Sequence, residues 1–376
     1  MASEQYGERI TRVRVLMRTN GLDFLVVGPS ADLTYLTGAE LRPSERLAVL
    51  ILPREGPSTI VLPGFEASSL PPLPPGVSVR TWGESDNPAH ITAGIIADSM
   101  HTKPGGANVT IGVGERLWAV YLLRLQSELP RAAFTPATAV LSQARLIKSA
   151  AEVELLKQAG SRADSAFMEM VKRPFIGRKE IDVSREFAKL METRGLSVTD
   201  LPIVGSGPNS ASPHHHASER VIEAGEPVVL DFWGTYKGYY ADCTRTVWAG
   251  SEPAAGSEQA HVYGVVALAQ ESAVQAGRPG ISCEALDNVA RSVIVEAGYG
   301  EYFSHRLGHG IGLDAHEAPF IVQGNDMVLQ DQMAFSVEPG VYISGKFGVR
   351  IEDIVALVDG HAVRMNNTEH GVIVVS

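Results

Sequence analysis

VVLDFWGTYKGYYADCTRT, residues 228 to 246, reads as two short strands joined by a polar turn. Val228 to Leu230 is an apolar, β-branched run, Gly234 to Gly238 supplies the turn, and Tyr239 to Val247 returns. Asp231 and Asp242 lie in the two arms. Residues facing each other across a hairpin share a face, so a suitable register turns both carboxylates to one side. Two carboxylates held close repel strongly unless a proton or a metal sits between them. A pair of plain turn residues is the simpler reading. Against it, Asp231 directly follows a run that looks buried, where an uncompensated charge is expensive.

A second hairpin follows downstream in FSVEPGVYISGKFGVRIEDIVAL, residues 335 to 357. Glu338 ends an apolar strand, Pro339-Gly340 redirects the chain, Gly345 and Gly348 bracket a turn, and Glu352 lies in the returning strand. Between the hairpins, HRLGHGIGLDAHEAP (305 to 319) crowds His305, His309 and His316 into a glycine-rich loop. There the backbone can approach a ligand closely. Four carboxylates and one imidazole make a mostly oxygen site, suited to Mn²⁺, Co²⁺ or Fe²⁺ with Zn²⁺ open. Four negative charges overbalance one divalent ion and match two, which sit ~3.5 to 4 Å apart when carboxylates bridge them.

The two hairpins belong to a repeat. A helical pattern running from about Ala139 to Arg173 carries Arg145, Lys148, Glu152 and Glu154 on its polar side, and Pro174 ends it. A second helix lies between Gly177 and Gly195, ahead of the first hairpin. After that hairpin the order returns: a helical stretch over 257 to 277, then a helix bracketed by Gly280 and Gly298, then the second hairpin. Identity between the halves is low, so the repeat is structural. Ahead of it, residues 1 to 133 alternate short apolar strands with helices and hold no cluster of acids, histidines or cysteines. His90 and His101 read as solvated surface residues.

A chain of 376 residues is too long for one ordinary core, and two domains are expected, 1 to 133 and 139 to 376. A net charge of -11 with no basic stripe disfavours a nucleic-acid partner. MASEQYGERI lacks the features of a signal peptide, and no apolar run nears the ~20 residues that span a bilayer. The expected compartment is the cytoplasm, with no membrane partner. Cys243 and Cys283 give no disulfide framework and no metal-binding spacing.

Taken together, NSASPHHHASERVIEAGEPVVLDFWGTYKGYYADCTRT, HRLGHGIGLDAHEAP, SVEPGVYI and GVRIEDI resemble the metal-dependent pita-bread peptidases of family M24. In detail they are similar to the Xaa-Pro group, prolidase and aminopeptidase P. The resemblance covers about 140 to 376, and Tyr35-Leu36-Thr37-Gly38 extends it more weakly into the first part. It implies an α/β (α+β) fold: a pita-bread catalytic domain with an internal pseudo-twofold repeat, preceded by a smaller creatinase-like α/β domain.

The resemblance also implies roles. Asp231 would chelate the first of two divalent ions, Mn²⁺ foremost. Asp242 and Glu352 would bridge both ions, and His309 and Glu338 would complete the second. A bridging hydroxide would attack the scissile carbonyl, and Glu338 would relay its proton to the leaving nitrogen. His214, His305 and His316 would line the cleft, hold the substrate and stabilise the tetrahedral intermediate. His215 and His216 are read as exposed and carry no role. Arg350 would meet the substrate's terminal carboxylate, with an internal acid as its competing partner. The substrate implied is a small peptide with proline second, and the assembly a homodimer.

Within that reading, a dipeptidase blocks the space beyond proline and an aminopeptidase leaves it open; the compact first domain leans toward dipeptides. Methionine aminopeptidase usually lacks such a first domain, and creatinase-like amidinohydrolases use no metals. A lyase acting on a small sulfonium acid shares the ligand set. A non-catalytic peptide-binding module would have lost ligands that this chain retains.

Overall fold

The structure is a computed structural model that describes residues 2–100 and 109–376; His101 lies outside the described residues. It comprises two compact units, Met1–Arg145 and Leu146–Ser376.

The first unit runs α1 (Ala2–Thr19), β1 (Phe24–Val27), α2 (Ala31–Thr37), β2 (Val49–Pro53), β3 (Ser58–Pro63), β4 (Val77–Trp82), α3 (Pro88–Met100), β5 (Thr110–Val113), α4 (Ala119–Glu128) and β6 (Ala133–Pro136). Its six strands form one mixed sheet in the order β4-β3-β2-β1-β5-β6. The short apolar runs become the central strands, and every residue of β1 and β2 is buried. The helix α2 starts on Ser30, whose side chain accepts from Leu33 N, and stops at Gly38 in the left-handed region, φ 74°. His90 is exposed and faces Glu128 at 2.8 Å.

The long helix expected from Ala139 to Arg173 is two helices, α5 (Thr138–Leu146) and α6 (Ala150–Met170). The break is a capping box. The Ser149 side chain accepts from Glu152 N, and the Glu152 carboxylate accepts from Ser149 N. Two residues expected on a polar face are buried instead. Lys148 is 2% exposed and meets Glu317 at 2.7 Å, while Glu152 accepts from the Tyr239 hydroxyl at 2.8 Å.

In the second unit, α6 and α7 (Glu180–Thr193) lead into β7 (Ile203–Ser206), β8 (Pro227–Tyr236) and β9 (Tyr239–Ala249), an antiparallel run. Then α8 (Glu258–Ala276) and α9 (Cys283–Glu296) lead into a second group: β10 (Gly308–Gly310), β11 (Glu317–Ile321), β12 (Ala334–Val337), β13 (Gly340–Ile343), β14 (Phe347–Arg350), β15 (Asp353–Val358) and β16 (His361–Arg364). Strands β11-β10-β12-β15-β16 make a five-stranded sheet, and β13-β14 a separate ribbon. The last strand, β17 (Ile373–Val375), pairs parallel with β9 and so completes the four-stranded sheet β17-β9-β8-β7. The repeat is visible in backbone detail. Gly177 and Gly280 open the equivalent helices at φ 79° and 92°, and Gly195 and Gly298 close them at φ 84° and 86°. Each half packs its helices on its own sheet around a dry core, Phe167, Phe187 and Phe232 in the first, Leu286, Phe335 and Val355 in the second.

Candidate metal centre

The first hairpin is longer than its apolar runs suggest. Its turn is only Lys237-Gly238, both at positive φ (50° and 82°), the backbone that suits a two-residue hairpin. Asp231 pairs across the ladder with Thr244, and Asp242 with Trp233. Positions 231 and 233 share one face of β8, and 242 and 244 the same face of β9. The two aspartates are therefore diagonal neighbours on one surface.

The second hairpin differs from expectation at Glu352, which lies in the break between β14 and β15 rather than within a strand. There its main chain bridges to Thr244 of the first half. Glu338 occupies the matching break between β12 and β13, where Pro339 stands, and its N–H donates to Leu307 O at 2.9 Å. His309 sits on β10 between two glycines. A Cβ at Gly308 would run into Ser336 O, and one at Gly310 into Ala318 O. Only glycine lets the neighbouring strands approach this closely. Ser336 ties two of the site residues together, accepting from His309 N (2.9 Å) and donating to Glu338 Oε1 (3.0 Å).

These elements bring Asp231, Asp242, His309, Glu338 and Glu352 together. Asp231, Asp242 and Glu352 offer oxygens all within 4.8 Å of one another, and so do the donor atoms of His309, Glu338 and Glu352. The two groups share Glu352. His309 Nε2 stands 3.3 Å from Glu338 Oε1 and 3.9 Å from Asp242 Oδ2.

Burial, then repulsion from neighbouring carboxylates, pushes Asp242 and Glu352 well above the ordinary range. Burial raises Glu338 to about 7, with Asp231 adding to the shift against the pull of Arg350. Burial and His316 lower His309 to about 3, which keeps its imidazole neutral. Asp231 Oδ1 is buried without a hydrogen-bond partner. Four mutually repelling carboxylates, one orphaned oxygen and one neutral imidazole fit divalent cations.

A cavity of about 560 Å³ opens over this cluster. All nine residues singled out from the sequence line it: the five above with His214, His305, His316 and Arg350. His305 bonds Tyr342 OH through Nε2 at 2.9 Å, and burial followed by Arg350 lowers it to about 4. The rings of His309 and His316 are 3.9 Å apart. Arg350 pairs with Asp231 at 2.7 Å.

His216 is exposed, as read. His215 is not: it is half-buried and meets the buried Glu180 carboxylate at 2.8 Å. Reading the residues missed Glu180, Ser336, Tyr342, Thr244 and Arg306. Ser336 and Tyr342 lie inside a motif already singled out, and that proximity was the available signal.

Comparison with known proteins shows the family. The model of metallopeptidase family M24 matches residues 154–359. The chain belongs to this family. Residues 9–147 match the creatinase/prolidase N-terminal domain, so the fold is a creatinase-type α/β domain followed by an M24 pita-bread domain. The Xaa-Pro dipeptidase of Lactobacillus helveticus is 32% identical over 348 residues, 92% of each chain. The crystal structure of dipeptidase PepE from Mycobacterium ulcerans is 40% identical and superposes with a TM-score of 0.90, over 100% of this chain and 99% of that one. Recombinant prolidase from Thermococcus sibiricus is 36% identical, with a TM-score of 0.91 over 98% and 99%. Among the described residues, no helix of this M24 chain is long and apolar enough to cross a membrane.

Proposed function

We propose that this M24 chain is a metal-dependent dipeptidase that hydrolyses the bond before proline, working as a homodimer with two divalent ions, Mn²⁺ foremost, in each subunit. The observation that carries the reading is the pair of donor groups sharing Glu352 at the floor of one cavity. Asp231, Asp242 and Glu352 would hold one ion, and Asp242, Glu352, His309 and Glu338 the other. Bound there, the cations supply Lewis acidity and lower the pKa of water.

The chain's own groups do the rest. Glu338 takes a proton from the attacking water and returns it to the proline nitrogen as the C–N bond breaks. His214 and His316 line the cavity and meet the scissile carbonyl, stabilising the charge that develops on its oxygen. His305, oriented by Tyr342, lines the substrate side. Arg350 holds Asp231 by a charge-assisted bond. The named activities of the Lactobacillus and Thermococcus relatives support the proline specificity, and a cavity of this size suits a small peptide.

The test is a substrate panel on protein stripped and reconstituted with Mn²⁺, Co²⁺ or Zn²⁺. Ala-Pro should be cleaved, and Ala-Ala and Ala-Pro-Ala far more slowly. Tripeptide turnover equal to that of Ala-Pro would replace the dipeptidase reading with an aminopeptidase.

A further inference from the structure

Two guanidinium groups reach the cavity wall, and they differ in what they already hold. Arg350 is 3% exposed. Its Nε donates to Thr244 Oγ1 (3.0 Å), Nη1 to Tyr342 OH (2.8 Å) and Pro213 O (3.3 Å), and Nη2 to Asp231 Oδ2 (2.7 Å). Four of the roughly five N–H donors of an arginine are thereby committed inside the protein. Such a group braces the site and has little left to offer a ligand.

Arg306 is the opposite case. It is half-buried and pairs with no carboxylate among the described residues. Its guanidinium carbon lies 4.5 Å from the centroid of the Phe320 ring, and Nη2 is 3.5 Å from His316 Nδ1, at the outer limit of a hydrogen bond. Stacking over an aromatic ring holds the guanidinium while leaving its donor edge open. Phe320 is itself 39% exposed, so the stack lies at the accessible rim.

The location matters because a dipeptide ends one residue beyond the bond that is cut. Its carboxylate follows the scissile carbonyl by about one Cα–Cα step, ~3.8 Å. His316 has a donor atom within 4.8 Å of those of Asp242 and His309, and Arg306 stands beside His316. A carboxylate carried one residue past the cluster needs a partner as it leaves water, and an arginine edge matches it in bidentate fashion.

We propose that Arg306, held against Phe320, binds the terminal carboxylate of the substrate and sets the preference for dipeptides, while Arg350 serves to fix Asp231. The proposal rests on the dipeptidase reading above.

The experiment uses the Mn²⁺-reconstituted enzyme with Ala-Pro and its carboxamide, Ala-Pro-NH₂. The amide is read as a substrate or, if it is not turned over, as a competitive inhibitor. Wild type should favour the free acid. Arg306→Ala should raise KM for the acid by about ten- to a hundredfold, with kcat little changed. It should leave the amide's KM or Ki and the bound metal where they were, so that the preference collapses. Arg306→Lys should recover part of the loss, and Phe320→Ala should fall between. If Arg306→Ala keeps the wild-type preference for the acid, or loses kcat equally on both compounds, the assignment is wrong. A wild-type enzyme indifferent to the carboxylate would instead bring down the dipeptidase reading, and this proposal with it.

Discussion

Thr244 Oγ1 donates to Glu352 Oε2 at 2.7 Å, and Glu352 N donates back to Thr244 O at 3.0 Å. One threonine of the first half thus holds, by side chain and main chain together, a carboxylate contributed by the second. Thr244 also lies opposite Asp231 in the first hairpin and accepts from Arg350 Nε. Glu352 and Arg350 of the second half therefore meet at one side chain of the first, directly across the ladder from Asp231.

Thr244→Val keeps the shape and removes the hydroxyl. Outer contacts of this kind typically govern metal affinity by about ten- to a hundredfold. The variant should bind Mn²⁺ weaker by that order, read by competition with a chromogenic chelator. Affinity equal to wild type would show that Glu352 is held by its main chain alone.

Stripping the metal should lower Tm, because ions that bind only the folded state stabilise it by mass action. Asp242→Asn removes one charge from the repelling cluster. Its metal-free form should melt at or above the metal-free wild type, while the gain on adding Mn²⁺ shrinks and Ala-Pro hydrolysis is abolished. Paired scans with and without chelator check both arms. A variant that keeps the wild-type gain would remove Asp242 from the ligand set.

Glu180 anchors the loop that carries His214. Its buried carboxylate accepts from Ser206 N and Oγ, Ser218 N and Oγ and Asn209 Nδ2, and meets His215 Nε2. Burial raises its pKa, but hydrogen bonds from Ser218, His215 and Ser206 outweigh burial and hold it at about 2, below the usual 4.5. A depressed carboxylate contributes stability above its unfolded pKa and loses it as pH falls through the folded value. Wild type should therefore lose about 2 kcal/mol more than Glu180→Gln between pH 4.5 and 2, measured by urea unfolding at each pH. Parallel curves for the two proteins would contradict this. Loosening of the His214 loop should also raise KM for Ala-Pro at neutral pH.

Asp287 does the corresponding work in the second half. Its Oδ1 accepts from Leu307 N at 2.9 Å, and its carboxylate pairs with Arg291, which donates to His305 O and Phe303 O. Asp287→Ala leaves a half-buried guanidinium without its carboxylate and Leu307 N without its acceptor, and should cost about 1 to 3 kcal/mol. Asp287→Asn keeps the acceptor for Leu307 and should cost less. Chemical denaturation ranks the three proteins.

Much of the site was legible because its residues sit where local chemistry punctuates the chain. Lys237-Gly238 sets the parity that puts Asp231 and Asp242 on one face. Pro339 breaks the strand beside Glu338, and the glycines around His309 announce a close approach. The features that the sequence does not reveal depend on contacts between distant segments. Ser149-Ala-Ala-Glu152 is a capping box, yet helical periodicity on both sides hid the break. Glu352 alternates with apolar neighbours as a strand residue would, but its pairing is set by Thr244, 108 positions away. His215 looked like surface because nothing near it in sequence reveals Glu180. For Arg350 the sequence leaves a substrate carboxylate and an internal acid both open, because its charge is visible there and its bonds to Asp231, Thr244, Tyr342 and Pro213 are not.

The crossing of the two halves at Thr244 and Glu352 has a thermodynamic consequence. Each half has its own helices and most of its own apolar interior, but neither carries a full coordination shell: the aspartates come from one and the histidine and glutamates from the other. Cations gripped from both sides would act as a weld. Loaded, the halves should come apart in a single cooperative step; drained, they keep the seam at Thr244, Glu352 and β17, and should separate at a lower temperature.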